Sequence, residues 1–145
     1  MAERKPIDIL LVEDDENDIL ITKRAFTKHN LSNRLYVVRD GEEALDFIYH
    51  KGQYSDAEAA PRPGLILLDI NMPKMNGIEV LRKLKNDPEY KMIPIVMLTT
   101  SKRDQDKIES YNLGVNSYII KPVDFNKFVD AIATINLYWE LNELP

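Results

Sequence analysis

Four short apolar runs in this chain each give way to side chains able to do phosphoryl or acid–base chemistry. Residues 7–12 lead into Glu13-Asp14-Asp15, residues 65–68 into Asp69, residues 93–98 into Thr99-Thr100-Ser101, and residues 118–120 into Lys121-Pro122. Carboxylates packed together repel, so in an empty cluster of Glu13, Asp14 and Asp69 one group would hold a proton at raised pKa. A hard divalent cation removes that conflict. Mg²⁺ prefers oxygen ligands, keeps several waters, and uses one or two carboxylates together with phosphate oxygens. Asp14 and Asp69 are the expected direct ligands, with the Asn71 carbonyl as a third protein oxygen and Glu13 holding a metal-bound water. Lys121 can pair with Asp69 at rest and with a phosphoryl oxygen after transfer, and Thr99 can donate to another. A carboxylate nucleophile, a metal and a lysine clamp are the parts of phosphoryl transfer, which depends mostly on positioning and charge stabilisation.

Each residue alone has a plainer explanation. A lone Asp at a strand end is usually a helix cap or turn residue, and Asp15 or Asp18 fits that description. Thr99 alone would be a β-rich residue satisfied by backbone, and Lys121 alone an exposed lysine at a turn. Four matching strand ends in one order make coincidence a poor account.

The elements that must bring these ends together are legible. The four runs, with a weaker fifth at residues 35–38, are short, continuous and rich in Ile, Val and Leu. That pattern suits strands covered on both faces, as in a parallel sheet, with 35–38 nearer an edge. Helical spacing appears between them. Ile19, Thr22 and Phe26 mark one helix, residues 42–49 a second, and residues 78–85 a third that Asp87-Pro88 stops. Residues 104–113 carry a fourth, ended by Gly114. Phe125, Phe128, Ile132, Ile135 and Trp139 mark the last at steps of three and four. Five β/α repeats predict an α/β, doubly wound, five-stranded parallel sheet of flavodoxin-like order 2-1-3-4-5. In such a sheet ligands bind beyond the carboxyl ends of the strands, where the chemistry sits here. Residues 50–64 are expected to be a surface loop without chemistry of their own.

Composition narrows the function. The 145 residues fit one domain, and 44% hydrophobic with 30% charged is an ordinary soluble balance that supplies a core. A net charge of −5 argues against a nucleic-acid binder that works by neutralising phosphates. No run approaches the ~20 apolar residues of a membrane span. Residues 1–6 carry no apolar signal core, and there is no cysteine for disulfides or thiolate metal sites. A cytoplasmic location is the expectation.

The residues at 9–15 (Ile-Leu-Leu-Val-Glu-Asp-Asp), at 65–73 (Leu-Ile-Leu-Leu-Asp-Ile-Asn-Met-Pro), Gly77, Leu98-Thr99 and 118–122 (Tyr-Ile-Ile-Lys-Pro) carry a family resemblance. Together they closely resemble the receiver domain of two-component response regulators, over about residues 7–133. The resemblance implies that Asp69 accepts the phosphoryl group, Glu13 and Asp14 form the acidic pair, Thr99 is the switch hydroxyl and Lys121 the clamp. It implies that Tyr118 is the aromatic whose rotamer follows phosphorylation, and that the Lys121–Pro122 bond is a candidate for cis. Members tend to carry Ala where this chain has Thr100, a larger residue beside the acyl phosphate. The donor would be a sensor histidine kinase, and the protein a switch rather than an enzyme. The chain ends about where the last helix should, so residues 1–145 are expected to be a single receiver with a helical extension from about 134 and no output domain. The long connection and the ending at 138–145 are similar to regulators associated with bacterial phytochrome kinases.

Three other readings compete. A flavodoxin would need a phosphate loop of small residues, which Glu13-Asp14-Asp15 is not. An Mg-dependent aspartate-nucleophile phosphatase of the haloacid-dehalogenase type would place an Asp-x-Asp arrangement at the first strand, and this chain has none there. A degenerate receiver acting only as a binding module would lack one or more of the functional positions, all of which are present. Finally, Tyr138, Trp139, Leu141 and Leu144 form an apolar stripe expected to pack on the domain itself or on a symmetric partner, which favours a homodimer.

Overall fold

The computed structural model of the chain describes residues 7–29, 31, 33–56, 58–100 and 117–134. Five parallel strands, β1 (Ile9–Val12), β2 (Leu35–Val38), β3 (Leu65–Asp69), β4 (Ile95–Thr99) and β5 (Ser117–Ile120), form one sheet in the order β2-β1-β3-β4-β5. The described helices are α1 (Glu16–Lys28), α2 (Gly41–Tyr49), α3 (Gly77–Lys85) and α4 (Phe125–Thr134). The expected order is therefore the observed one, with β2 at the edge. The helix expected over residues 104–113, and the last helix beyond residue 134 with its stripe at 138–145, lie outside the described residues.

The continuous apolar strands are explained by two cores, one on each face of the sheet. Leu10, Val12, Ile66, Leu68 and Met97 pack with α2 and α3. The alternate residues Ile9, Leu11, Leu65, Leu67, Val96 and Leu98 pack with Ile19 and Phe26 of α1 and Phe128 and Ile132 of α4. Side chains alternate across a strand, so a strand covered on both sides must be apolar at every position. β1, β3 and β4 are buried throughout, whereas edge strand β2 is buried only at Val38.

Each described helix starts just past a strand, and a short polar side chain caps it. Asp15, Asp40, Asn76 and Asp124 accept from the backbone N–H three residues on, at 3.0, 2.7, 3.0 and 2.8 Å. A cap of this kind contributes ~1 kcal/mol. Much of the acidity at this edge of the sheet is thus capping. β4 begins at Ile95 rather than at Ile93, because the Ile93 N–H donates to Tyr90 O at 3.1 Å and stays in the preceding turn.

The 50–64 connection is more ordered than a polar loop requires. It contains a 3₁₀ turn at Gly52–Tyr54. His50 Nε2 lies 2.7 Å from Ala60 O, and the Tyr54 hydroxyl donates to Glu43. Arg62 donates to Glu89 O at 2.8 Å and lies over the Tyr90 ring, which meets Tyr49 edge-on. These contacts fasten the segment to α2 and to the turn before β4.

Candidate functional site

Strand alternation decides which polar residues meet. Glu13 and Asp69 continue the series Ile9-Leu11 and Leu65-Leu67, and Lys121 continues Ile119, all on the α1/α4 face. The structure brings these three together. Lys121 Nζ lies 2.6 Å from Glu13 Oε1 and 3.1 Å from Asp69 Oδ1, and the Lys121 side chain is only 10% exposed. Asp14, one residue beyond Glu13, is exposed but still close. One carboxylate oxygen each from Glu13, Asp14 and Asp69 lies within 4.8 Å of the others.

The β3–α3 loop that carries Asn71 is wedged from two sides. The Gly77 N–H donates to Ile70 O at 2.8 Å, and a Cβ there would lie 2.1 Å from the Asp69 carbonyl oxygen. Gly41, the first residue of α2, touches the far end of the loop, where a Cβ would lie 2.2 Å from Met75 O. Between them Lys74 adopts a left-handed φ of 65°. Both glycines are needed for close approach of backbone, and together they hold the turn after Asp69 in place.

Thr99 ends β4 in the opposite alternation and is buried, and its carbonyl accepts from the Lys121 N–H at 2.8 Å. Tyr118 in β5 is half-buried against the α2/α3 core. Thr100 and Asn71 are exposed. The Lys121–Pro122 bond is cis.

Burial and charge pull in opposite directions here. Burial pushes the Glu13 carboxyl up to about 7, the Asp69 charge adds to the rise, and Lys121 opposes it. Asp69 is likewise raised by burial, against the pull of Lys121 and of hydrogen bonds from Glu13 and the Asn71 N–H. Burial lowers Lys121, but Glu13 and Asp69 outweigh it and hold the ammonium above the ordinary lysine value. The cluster thus carries more negative charge than one lysine comfortably balances.

That imbalance fits a divalent cation. The donors are all hard oxygens, the choice of Mg²⁺ or Mn²⁺ rather than of a thiolate- or imidazole-seeking metal. Glu13 Oε2 accepts from the Asp15 N–H at 3.2 Å. Glu13 Oε1 is buried and meets Lys121 by charge without a well-directed hydrogen bond, so it keeps capacity to accept from a metal-bound water.

One participant was not singled out from sequence. Asp18 Oδ2 accepts a hydrogen bond from Lys121 Nζ at 3.2 Å across 103 positions of sequence. The available signal was an acidic residue in the first turn of α1, three positions after the cap Asp15, where capping alone explains it.

The response regulator receiver domain family matches residues 9–133. The chain belongs to this family. Receiver domains are phospho-accepting switches of two-component signalling: they take a phosphoryl group from a histidine kinase onto an aspartate, with a bound divalent metal. Response regulator Rcp1 of Synechocystis sp. is 40% identical over 134 residues, covering 92% of this chain and 89% of Rcp1. Among solved structures, the bacteriophytochrome response regulator AtBRR is 42% identical with a TM-score of 0.87, over 94% of this chain and 96% of that one. The Mn²⁺-bound form of Rcp1 is 40% identical with a TM-score of 0.73, over 92% and 94%. This receiver therefore works in phosphorelay signalling. No helix among the described residues is long and apolar enough to cross a membrane.

Proposed function

We propose that Asp69 is the phospho-acceptor of this receiver, that its metal is Mg²⁺, and that its donor is a phytochrome-type histidine kinase. The observation that carries the acceptor assignment is Asp69 itself: a buried carboxylate paired at 3.1 Å with a largely buried lysine, inside a cluster of three carboxylates. An Asp69 oxygen attacks phosphorus, the P–N bond of the kinase phosphohistidine breaks, and the imidazole leaves with the electron pair. Asp14, Asp69 and the Asn71 carbonyl would hold the metal, with Glu13 on one of its waters. When bound, Mg²⁺ supplies neutralisation of the charge on the transferring phosphoryl oxygens.

Lys121 follows the charge, from the Asp69 carboxylate to a phosphoryl oxygen. Thr99 donates to another phosphoryl oxygen by moving inward, and Tyr118 takes the space it leaves. The surface around β5 and α4 then changes its preferred partners. Loss of the phosphoryl group by the domain's own hydrolysis belongs to the same reading. The phytochrome link is supported by the relatives, since AtBRR is a bacteriophytochrome response regulator and other similar structures carry phytochrome in their names. Residues 1–145 are read as a single receiver whose last helix continues past about residue 134 and joins two copies in a homodimer.

The test is brief exposure to a small phosphodonor with Mg²⁺, followed by intact mass measurement. One added phosphoryl group is expected, absent after chelation. Mass unchanged under all conditions would refute the reading and leave a binding module. Light-dependent transfer from a phytochrome-type kinase, compared with an unrelated kinase, tests the partner.

A further inference from the structure

Asp18 stands outside the acidic cluster, yet it holds the lysine that serves it. It occupies the third position of α1, where an acidic side chain ordinarily reaches back to the backbone N–H of the capping residue. That N–H is already taken. The Asp15 N–H donates to Glu13 Oε2 at 3.2 Å, while the Asp18 N–H donates to Asp15 Oδ1 at 3.0 Å. The Asp18 carboxylate is thereby free to turn inward, and Oδ2 accepts from Lys121 Nζ at 3.2 Å. The Asp18 side chain is 29% exposed, against 1% for Glu13 and 5% for Asp69.

An ammonium carries three N–H donors. Around Lys121 Nζ the structure places three carboxylates, Glu13 at 2.6 Å, Asp69 at 3.1 Å and Asp18 at 3.2 Å. Two of the three belong to the cluster fitted for a cation. Asp18 does not, so its hold on the lysine persists when a cation draws on Glu13 and Asp69. The hydrogen bond to Asp18 fixes one N–H direction, and the other two then face the Glu13 and Asp69 carboxylates before any phosphoryl group arrives.

We propose that Asp18 is a positioning residue for phosphoryl transfer, fixing the Lys121 ammonium so that one N–H points at the acceptor carboxylate. It acts through Lys121 and touches neither the metal ligands nor the donor. The inference rests on the reading of Asp69 as acceptor. Its physical basis is that a long, flexible side chain gains most from preorganisation when the bond it must make forms only in the transition state. A purely structural Asp18 would act instead through the dipole and stability of α1.

The experiment uses the full chain and a small phosphodonor such as phosphoramidate, at saturating Mg²⁺. Initial phosphorylation rates of the parent, Asp18→Ala and Asp18→Asn proteins are compared, with Mg²⁺ affinity measured in parallel by calorimetry. Asp18→Ala should slow phosphorylation about tenfold while Mg²⁺ affinity stays within about twofold. Asp18→Asn keeps an acceptor oxygen and should recover part of the rate, and it also guards against loss of fold in the alanine protein. Rates within twofold of the parent in both variants would overturn the proposal. So would a loss of Mg²⁺ affinity matching the loss of rate, because Asp18 would then act on the cluster. A parent protein that takes up no phosphate at all would instead refute the acceptor assignment.

Discussion

Glu13 Oε1 and Lys121 Nζ stand 2.6 Å apart with side chains 1% and 10% exposed, yet the glutamate titrates near neutrality. Its carboxyl rises from an ordinary 4.5 to about 7, so between those values the folded chain holds a proton that the unfolded chain has lost. Stability from this group is full below the lower value and is lost as pH rises through the upper one. In metal-free protein, the urea midpoint should therefore decline across that window. Glu13→Gln, which cannot ionise, should flatten the decline. Parallel slopes for the two proteins would show that another group sets the pH dependence.

Replacing the acceptor separates chemistry from folding. Asp69→Asn is nearly isosteric but its amide cannot attack phosphorus, so uptake from a small phosphodonor should disappear. Thermal unfolding should show a retained cooperative fold. Asp14→Ala should instead weaken Mg²⁺ binding, read by calorimetry. Normal phosphorylation of Asp69→Asn would remove Asp69 from the mechanism.

Gly77→Ala tests the turn beyond the acceptor. The added methyl would lie 2.1 Å from the Asp69 carbonyl oxygen, with backbone rather than a flexible side chain in its way. Overpacking of this sort costs ~1–3 kcal/mol. Chemical denaturation should show that loss, and phosphorylation of the surviving folded protein should slow because the turn has shifted. An alanine protein matching the parent in both measurements would mean that the close contact is readily relieved.

Association is tested by removing residues 138–145. If the stripe of Tyr138, Trp139, Leu141 and Leu144 joins two copies, light scattering should report a lower mass after truncation. A mass that stays monomeric before and after would dismiss the dimer.

Strand order and the meeting of Glu13, Asp69 and Lys121 were legible in the sequence for one reason. Buried parallel strands are continuous apolar runs, and their carboxyl ends share one edge of the sheet. Asp18 was not legible, because its role depends on Glu13 having already satisfied the Asp15 N–H, a tertiary detail that no spacing encodes. The ties of the 50–64 connection are hidden in the sequence for a similar reason: Tyr54 and Arg62 are polar-tipped residues whose partners Glu43, Glu89 and Tyr90 are distant in sequence. The apolar run at 93–98 begins two residues before β4 does, since Ile93 is apolar and buried although its backbone belongs to a turn.

The division of each strand between two cores limits how the length of this chain can change. Asp69 shares a face with Leu65 and Leu67 because it lies an even number of positions from them. Deleting or inserting one residue within β3 would reverse that parity, turn the carboxylate toward the α2/α3 layer and carry Leu68 toward the lysine. A two-residue change would keep the parity and alter only the reach. Length variation over evolution should therefore collect in connections such as 50–64, while the strands tolerate exchange of residues far better than their gain or loss.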